Sequence, residues 1–243
     1  MAYIKTTHRF GLLTPSSNTT QEREFAEVLP KTISLHTARL SFTNIDADTM
    51  VSCIAELESE SRKLADADVD IITLAATAPS VTYGRGYDRQ LIDRMTQASG
   101  KPATTASTAF LEALAELGIR RIAIAAPWSL SVNNIVAAFF ETNGYSVVHS
   151  EVMGLVRNTE LGRVDAETAY AFGRKADHPD AEALIVPGGN WPTMTVVERL
   201  ERDLGKPVLT NNCVSIWAGL RMINGYGRIT GYGGLLRDHL HRT

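Results

Sequence analysis

Pro15-Ser16-Ser17-Asn18 follows an apolar run, Phe10–Thr14, and precedes an amphipathic one, so it lies where a strand feeds a helix. Unpaired N–H groups and the positive end of a helix dipole gather at such a junction and favour an anion such as a carboxylate. Ser17 or Asn18 equally suits a helix N-cap, a structural role worth about 1 kcal/mol. Pro187-Gly188-Gly189-Asn190 leaves another apolar run. Its glycines let main chain approach a ligand closely, and the same four residues are also good turn chemistry. Residues 71–84, IITLAATAPSVTYG, pass from strand to loop at Ala75-Ala76-Thr77, a turning point with neither nucleophile nor base. Cys213 follows Asn211-Asn212 at the start of a helical stretch, where the dipole lowers a thiol pKa, and so is a candidate for catalysis. Cys53 lies among apolar neighbours and reads as core. Tyr83 and Asp88 border the 76–80 loop and offer an acid or a base, although Asp88 also suits a helix N-cap.

Several chemistries find no support. The six histidines (His8, His36, His149, His178, His239 and His241) share no metal-ligand spacing, and two cysteines make neither a zinc site nor a disulfide framework. No metal is expected. Tyr83-Gly84-Arg85-Gly86 is too short and wrongly placed for a dinucleotide or phosphate loop, so no cofactor is expected either. A net charge of −3 gives no basic surface for nucleic acid or anionic membrane. No run approaches the roughly 18 apolar residues of a spanning helix, and MAYIKTTHRFGLL lacks the apolar core of a signal peptide. A cytoplasmic protein is the expectation.

These loops need elements to hold them. Apolar runs predict strands at Phe10–Thr14, Ile33–Ala38, Asp70–Ala75, Ile122–Ala126, Ser146–Ser150, Ala183–Val186 and Val208–Thr210. Amphipathic stretches predict helices at Thr20–Val28, Thr49–Ala67, Tyr87–Ala98, Ser107–Leu117, Val132–Thr142, Ala166–Ala176, Thr193–Leu204 and Ser215–Asn224. Such alternation implies parallel sheets covered by helices. The pattern also repeats. Arg9–Pro15 matches Arg121–Pro127, and Asp70–Ala76 matches Glu182–Gly188, both 112 positions apart; Gly100-Lys101-Pro102 returns 105 positions on as Gly205-Lys206-Pro207. Two similar lobes related by a pseudo-two-fold axis follow from this. Ligands of open α/β sheets bind beyond the carboxyl ends of the strands. The four loops Pro15–Asn18, Ala76–Ser80, Pro127–Ser129 and Pro187–Asn190 are therefore expected to face one another across a cleft.

Leu13-Thr14-Pro15-Ser16-Ser17-Asn18-Thr19 resembles the opening motif of the maleate isomerases, and Arg157–Val164 and Ala76–Ser80 extend the likeness along most of the chain. The sequence is similar to the aspartate/glutamate racemase superfamily, on the branch holding maleate cis-trans isomerase and arylmalonate decarboxylase. The resemblance implies two flavodoxin-like lobes, residues 1–104 with 213–243 and residues 105–212, often paired into homo-oligomers. It implies a small carboxylate held by Pro15, Ser16, Ser17, Asn18, Ala76, Thr77, Ala78, Trp128, Asn158, Gly188, Gly189 and Asn190. Thr77 with Ala78 would form an oxyanion nest, Asn158 would bind a carboxylate, and Trp128 takes the place of a substrate-binding tyrosine. The superfamily's two thiols fall at Ala76 and Gly188, which can neither titrate nor attack.

The resulting expectation is a cofactor-independent, non-thiol enzyme of lyase or isomerase type acting on a small carboxylate, dicarboxylate or related cyclic compound. Thr77, Asn18 and Cys213 are its candidate catalytic groups. A hydrolase using activated water in the same cleft and a non-catalytic carboxylate-binding protein are the alternatives.

Overall fold

The computed structural model of the chain describes residues 5–224 and 227–240. Its first sheet joins β1 (His8–Pro15), β2 (Ile33–Leu40), β3 (Ile71–Leu74) and β4 (Ala103–Thr105) in the order β2-β1-β3-β4. Its second joins β5 (Arg121–Trp128), β6 (Ser146–Leu155), β7 (Ala183–Val186) and β8 (Val208–Thr210) in the order β6-β5-β7-β8. All pairings in both sheets are parallel. Each half of the duplicated sequence thus builds the same four-stranded α/β lobe.

Between β1 and β4 run α1 (Gln21–Val28), α2 (Ala47–Ile54), α3 (Leu57–Asp66), α4 (Thr77–Val81) and α5 (Tyr87–Ser99); α6 (Ala106–Glu116) leads to β5. The second half holds α7 (Leu130–Thr142), α8 (Asn158–Leu161), α9 (Ala166–Ala176), α10 (Val197–Leu204), α11 (Asn211–Met222) and α12 (Gly234–Asp238). The predicted helix over Thr49–Ala67 is two helices. They part at Ala55-Glu56, where the Glu56 carboxylate turns back to accept the N–H and hydroxyl of Ser41 at 2.8 and 2.7 Å. The 76–80 loop is a short helix, α4. Strand β4, α8 and α12 have no counterpart among the predicted elements.

Gly100 and Gly205 end α5 and α10 in left-handed conformations, φ 69° and 66°, and each amide closes its helix onto the carbonyl four residues back. Lys-Pro follows in both places and delivers the chain to β4 and β8. Thr105 and Thr210 then cap the next helices, α6 and α11, through their hydroxyls. The two arms of the repeat are therefore built alike.

Helix α11 is buried on every side from Asn211 to Leu220, as expected of a helix apolar all round. It follows the second sheet in sequence but packs on β3, β4 and α6 as well as β8. Helix α6 packs on β4, α4 and α5. The closest approach of α11 is at Gly219: a methyl group there would stand 2.3 and 2.4 Å from ring atoms of Phe10. Phe10 is itself fixed edge-on against Phe25, centroids 5.8 Å apart, in the core.

Gly219→Ala should therefore destabilise the fold by about 1–3 kcal/mol through overpacking against a ring that cannot yield. Gly205→Ala, with nothing within 4 Å of the new methyl, should cost only the left-handed strain of about 1 kcal/mol. Urea unfolding of the two variants measures both.

Candidate active site

The carboxyl ends of β1, β3, β5 and β7 meet at a small cavity of about 30 Å³. Pro15, Asn18, Ala76, Thr77, Ala78, Trp128, Asn158, Gly188, Gly189 and Asn190 line it, so most of the sequence-predicted site residues share one wall. Phe42, Ile45, Ala75, Pro79, Leu161 and Pro187 complete it. Residues 43–45 close over the mouth by pairing with residues 156–158: Ile45 N donates to Val156 O at 2.7 Å and Asn158 N to Thr43 O at 3.0 Å.

Ser16 and Ser17 do not line the cavity, contrary to expectation. Ser16 accepts the Phe42 amide at 3.1 Å; Ser17 donates to Phe42 O and accepts from Asn158 Nδ2 at 2.9 Å. Their hydroxyls hold the Phe42 segment in place. The amides of Ser16 and Asn18 are already donated to Leu40 O and Pro15 O. Asn18 takes the capping role: its Oδ1 accepts from Thr20 N and Gln21 N at 2.9 and 2.8 Å, and its Nδ2 donates to Gln21 Oε1. Asn190 is a latch between the lobes. Its Oδ1 accepts from Thr19 N at 2.8 Å, its Nδ2 donates to Asn158 O at 2.7 Å, and its carbonyl accepts from Thr20 Oγ1 at 2.9 Å.

Behind the cavity lies a buried polar network that the sequence reading missed. Gln21 Nε2 and Asn211 Nδ2 both donate to Ala75 O, at 2.6 and 3.2 Å. Both also donate to Asn212 Oδ1 at 3.0 Å. Asn212 Nδ2 donates to Gly189 O at 3.1 Å and to the Glu24 carboxylate at 2.5 Å. Glu24 also accepts the Met194 amide at 3.1 Å. On the cavity side, Thr77 Oγ1 donates to Asn211 Oδ1 at 2.7 Å. Burial pushes the Glu24 carboxyl up to about 7, against the pull of its hydrogen bonds to Asn212 and Met194. Gly189 has to be glycine: a methyl there would stand 2.5 Å from Gln21 Nε2 and 2.8 Å from Asn211 Nδ2.

The cavity wall itself is chemically quiet. No residue lining it carries a titratable side chain. Cys213, a candidate catalytic residue, lies in the first turn of α11 with its amide on the Thr210 cap and its sulfur buried 3.8 Å from Tyr232 O. It does not line the cavity, and burial with the nearby Glu201 and Glu24 carboxylates raises its thiol far above the usual range. Cys53 is core, its thiol pushed up to about 12 by burial. Tyr83 is exposed and packs on Tyr87, while buried Asp88 accepts from Thr108 Oγ1 at 2.5 Å; neither reaches the cavity. Among the described residues no three His, Cys, Asp or Glu side chains converge as metal ligands, and His241 lies outside them. Trp128 Nε1 is buried with no hydrogen-bond partner among the described residues. The amides that open α4, Thr77 and Ala78, have no intrahelical acceptor.

A family model described as arylmalonate decarboxylase matches residues 10–236. The chain belongs to that family of enzymes. It is 26% identical over 242 residues to a maleate isomerase of Pseudomonas putida, covering 94% of this chain and 97% of the relative. It is 28% identical over 188 residues to the arylmalonate decarboxylase of Bordetella bronchiseptica, covering 76% and 78%. A cysteine-to-serine mutant of Nocardia farcinica maleate cis-trans isomerase, solved with a covalently bound succinylcysteine intermediate, superimposes with a TM-score of 0.91 at 25% identity over 95% and 98% of the two chains. The two-lobed fold is thus that of the family. No helix among the described residues is long and apolar enough to cross a membrane.

Position 188, where the resemblance places a thiol, is closed to a side chain. A Cβ on Gly188 would lie 2.7 Å from Pro127 Cγ. Pro127 has no N–H to give the sheet, and the β5–β6 register shifts between Ala126 and Trp128 around it. Gly188→Cys should accordingly destabilise the protein by about 1–3 kcal/mol, and Pro127→Ala should relieve most of that in the double variant. Differential scanning calorimetry of the three proteins reads it.

Glu24 gives a second expectation. Its folded-state pKa of about 7 exceeds the ordinary 4.5, so between those values the folded protein keeps a proton that the unfolded chain has released. Its contribution therefore makes stability fall as pH rises through that window, by up to about 3 kcal/mol, and stay level above it. Urea unfolding across the window should show a shallower fall in Glu24→Gln than in the parent.

Proposed function

We propose that the cavity binds a small carboxylate through main-chain amides and the Trp128 indole, and that the enzyme performs lyase- or isomerase-type chemistry at the carbon beside that carboxylate without a thiol or a cofactor. The observation that carries this reading is Trp128, a residue of the cavity lining whose Nε1 is buried with no acceptor among the described residues. A buried polar group without a partner is costly, and a ligand oxygen would satisfy it. The amides of Thr77 and Ala78 at the start of α4, which have no intrahelical acceptor, supply further donors.

Transfer of a proton from that carbon to a bound water, or loss of the carboxylate as CO2 with its electron pair passing to a neighbouring carbonyl, leaves an enediolate or enolate oxygen that carries the charge. Donors fixed in place beforehand stabilise such charge by about 3 kcal/mol each. The carbon is then protonated by water, since no acid or base lines the cavity. The relative with a succinylcysteine uses a covalent sulfur adduct. This chain has alanine and glycine where the resemblance places thiols, and Pro127 fills the space beside the glycine. Thiol addition is therefore replaced by electrostatic stabilisation alone.

Ala76→Cys tests the site without knowledge of the substrate. The native thiols are buried, so the new one should dominate alkylation by iodoacetamide. Small mono- and dicarboxylates should slow that alkylation, and Trp128→Phe should weaken the protection by about tenfold, the worth of one buried hydrogen bond to a charged group. Lack of protection by every carboxylate would sink the assignment.

A further inference from the structure

The direction of the buried network reaches into the cavity. Ala75 O is a backbone carbonyl and can only accept; it receives Gln21 Nε2 and Asn211 Nδ2. Gly189 O likewise receives Asn212 Nδ2. These two carbonyls fix which end of each amide is nitrogen, because turning any one over would set oxygen against oxygen. Asn211 must therefore present Oδ1 to Thr77, and the Thr77 hydroxyl must donate to it, as its 2.7 Å contact shows. With its proton committed inward, the Thr77 oxygen has only lone pairs left for a ligand.

The charge of the wall points the same way. No Lys or Arg lines the cavity. Arg39 donates to Ser16 O and Asn18 O and pairs with Glu22, and Arg157, in the pairing at the mouth, is exposed and does not line the cavity. Behind the wall stands a carboxyl, Glu24. Two carboxylates desolvated here would both meet neutral donors and no counter-charge, whereas one carboxylate with a neutral second group buries half that uncompensated charge.

We propose that Thr77 is a specificity-determining residue that accepts a hydrogen bond from the substrate, so that the cavity selects a mono-anionic carboxylate bearing an amide or imide N–H over the matching dicarboxylate. Amide and carboxylate are nearly the same size, so the choice rests on polarity and charge. A site with a buried acceptor rejects an analogue lacking the donor because the acceptor is left opposite another acceptor. The inference rests on the carboxylate-binding reading above and names the second group of the ligand.

Succinate and succinamate differ in this one group and serve as probes in isothermal titration calorimetry at a pH where both terminal acids are ionised. Succinamate should bind at least about tenfold more tightly than succinate. Thr77→Ser, which keeps the oxygen and its proton's outlet, should retain the preference; Thr77→Val should reduce it to within about threefold. Asn211→Ala, which frees the Thr77 proton to point at the ligand, should shift the preference toward succinate. Equal or tighter binding of succinate by the parent protein, or a preference that survives in Thr77→Val, would overturn the assignment of Thr77 while leaving the carboxylate site standing. If neither probe binds, the carboxylate reading itself fails and this inference with it. Circular dichroism checks that each variant is folded, and Asn211→Ala carries the test should Thr77→Val not be.

Discussion

The cavity depends on how three buried amide side chains, Gln21, Asn211 and Asn212, are held between two backbone carbonyls. Ala75 O belongs to the N-terminal sheet's third strand end and Gly189 O to the equivalent turn of the second lobe. The three side chains come from the first helix of one lobe and from α11, which crosses back from the other. Each hydrogen bond is worth about 1 kcal/mol net, but an unpaired amide in this setting costs about 1–3 kcal/mol, so the members hold or fail together. That cooperativity is what lets a wall of loops keep its shape. It also explains why Gly189 admits no side chain and why Asn18 and Thr77, at the network's outer edge, have so little freedom.

A framework of this kind moves the chemistry from side chains to main chain. The residues that touch the cavity are neutral, and those that could titrate stand behind them or elsewhere in the core. Cys213 illustrates the difference. It has the helix start that would activate a thiol, yet burial outweighs the dipole because the sulfur is surrounded by apolar side chains and two carboxylates. At position 188 the Pro127 ring occupies the space a side chain would need, so the glycine and the proline are packed against each other.

Seven of the eight strands and their duplication into two lobes were legible in the sequence because strand runs and their spacing are local signals. Strand β4 was missed although its repeat mate Val208–Thr210 was recognised; Ala103-Thr104-Thr105 is too short and too polar to read as a strand alone, and only the shared Gly-Lys-Pro announces it. The cavity was legible in outline, since strand ends and the repeat place four loops together. The roles inside it were less so. Asn18 read as either a ligand or a cap, and its local partners Thr20 and Gln21 decide for the cap; Asn190 read as a ligand or a turn residue, and its latch role depends on a long-range partner, Thr19, 171 positions away. Gln21 and Glu24 escaped notice for a similar reason. They occur at i and i+3 on α1, beside Phe25 and Val28 on its buried face, and a polar pair at that spacing ordinarily signals solvent. Their partner Asn212 lies about 190 positions away, beyond any local pattern.

The duplicated lobes are alike in topology and unlike where they meet the ligand. Thr105 and Thr210 cap their helices in the same way, but the residues that follow diverge. Ser107 turns to Thr77 O and Ser80 within its own half, while Asn211 reaches across to Ala75 and Thr77 and Asn212 to Glu24. One face of the cavity is thus backed by a hydrogen-bonded network and the other by the Pro127 ring and an unpaired indole N–H. A reaction that takes a proton from one face and returns it to the other needs matched groups on both sides of the pseudo-two-fold axis. Under the proposed binding mode the Thr77 oxygen and the Trp128 indole are unlike partners, an acceptor and a donor, so a substrate would bind in a single sense.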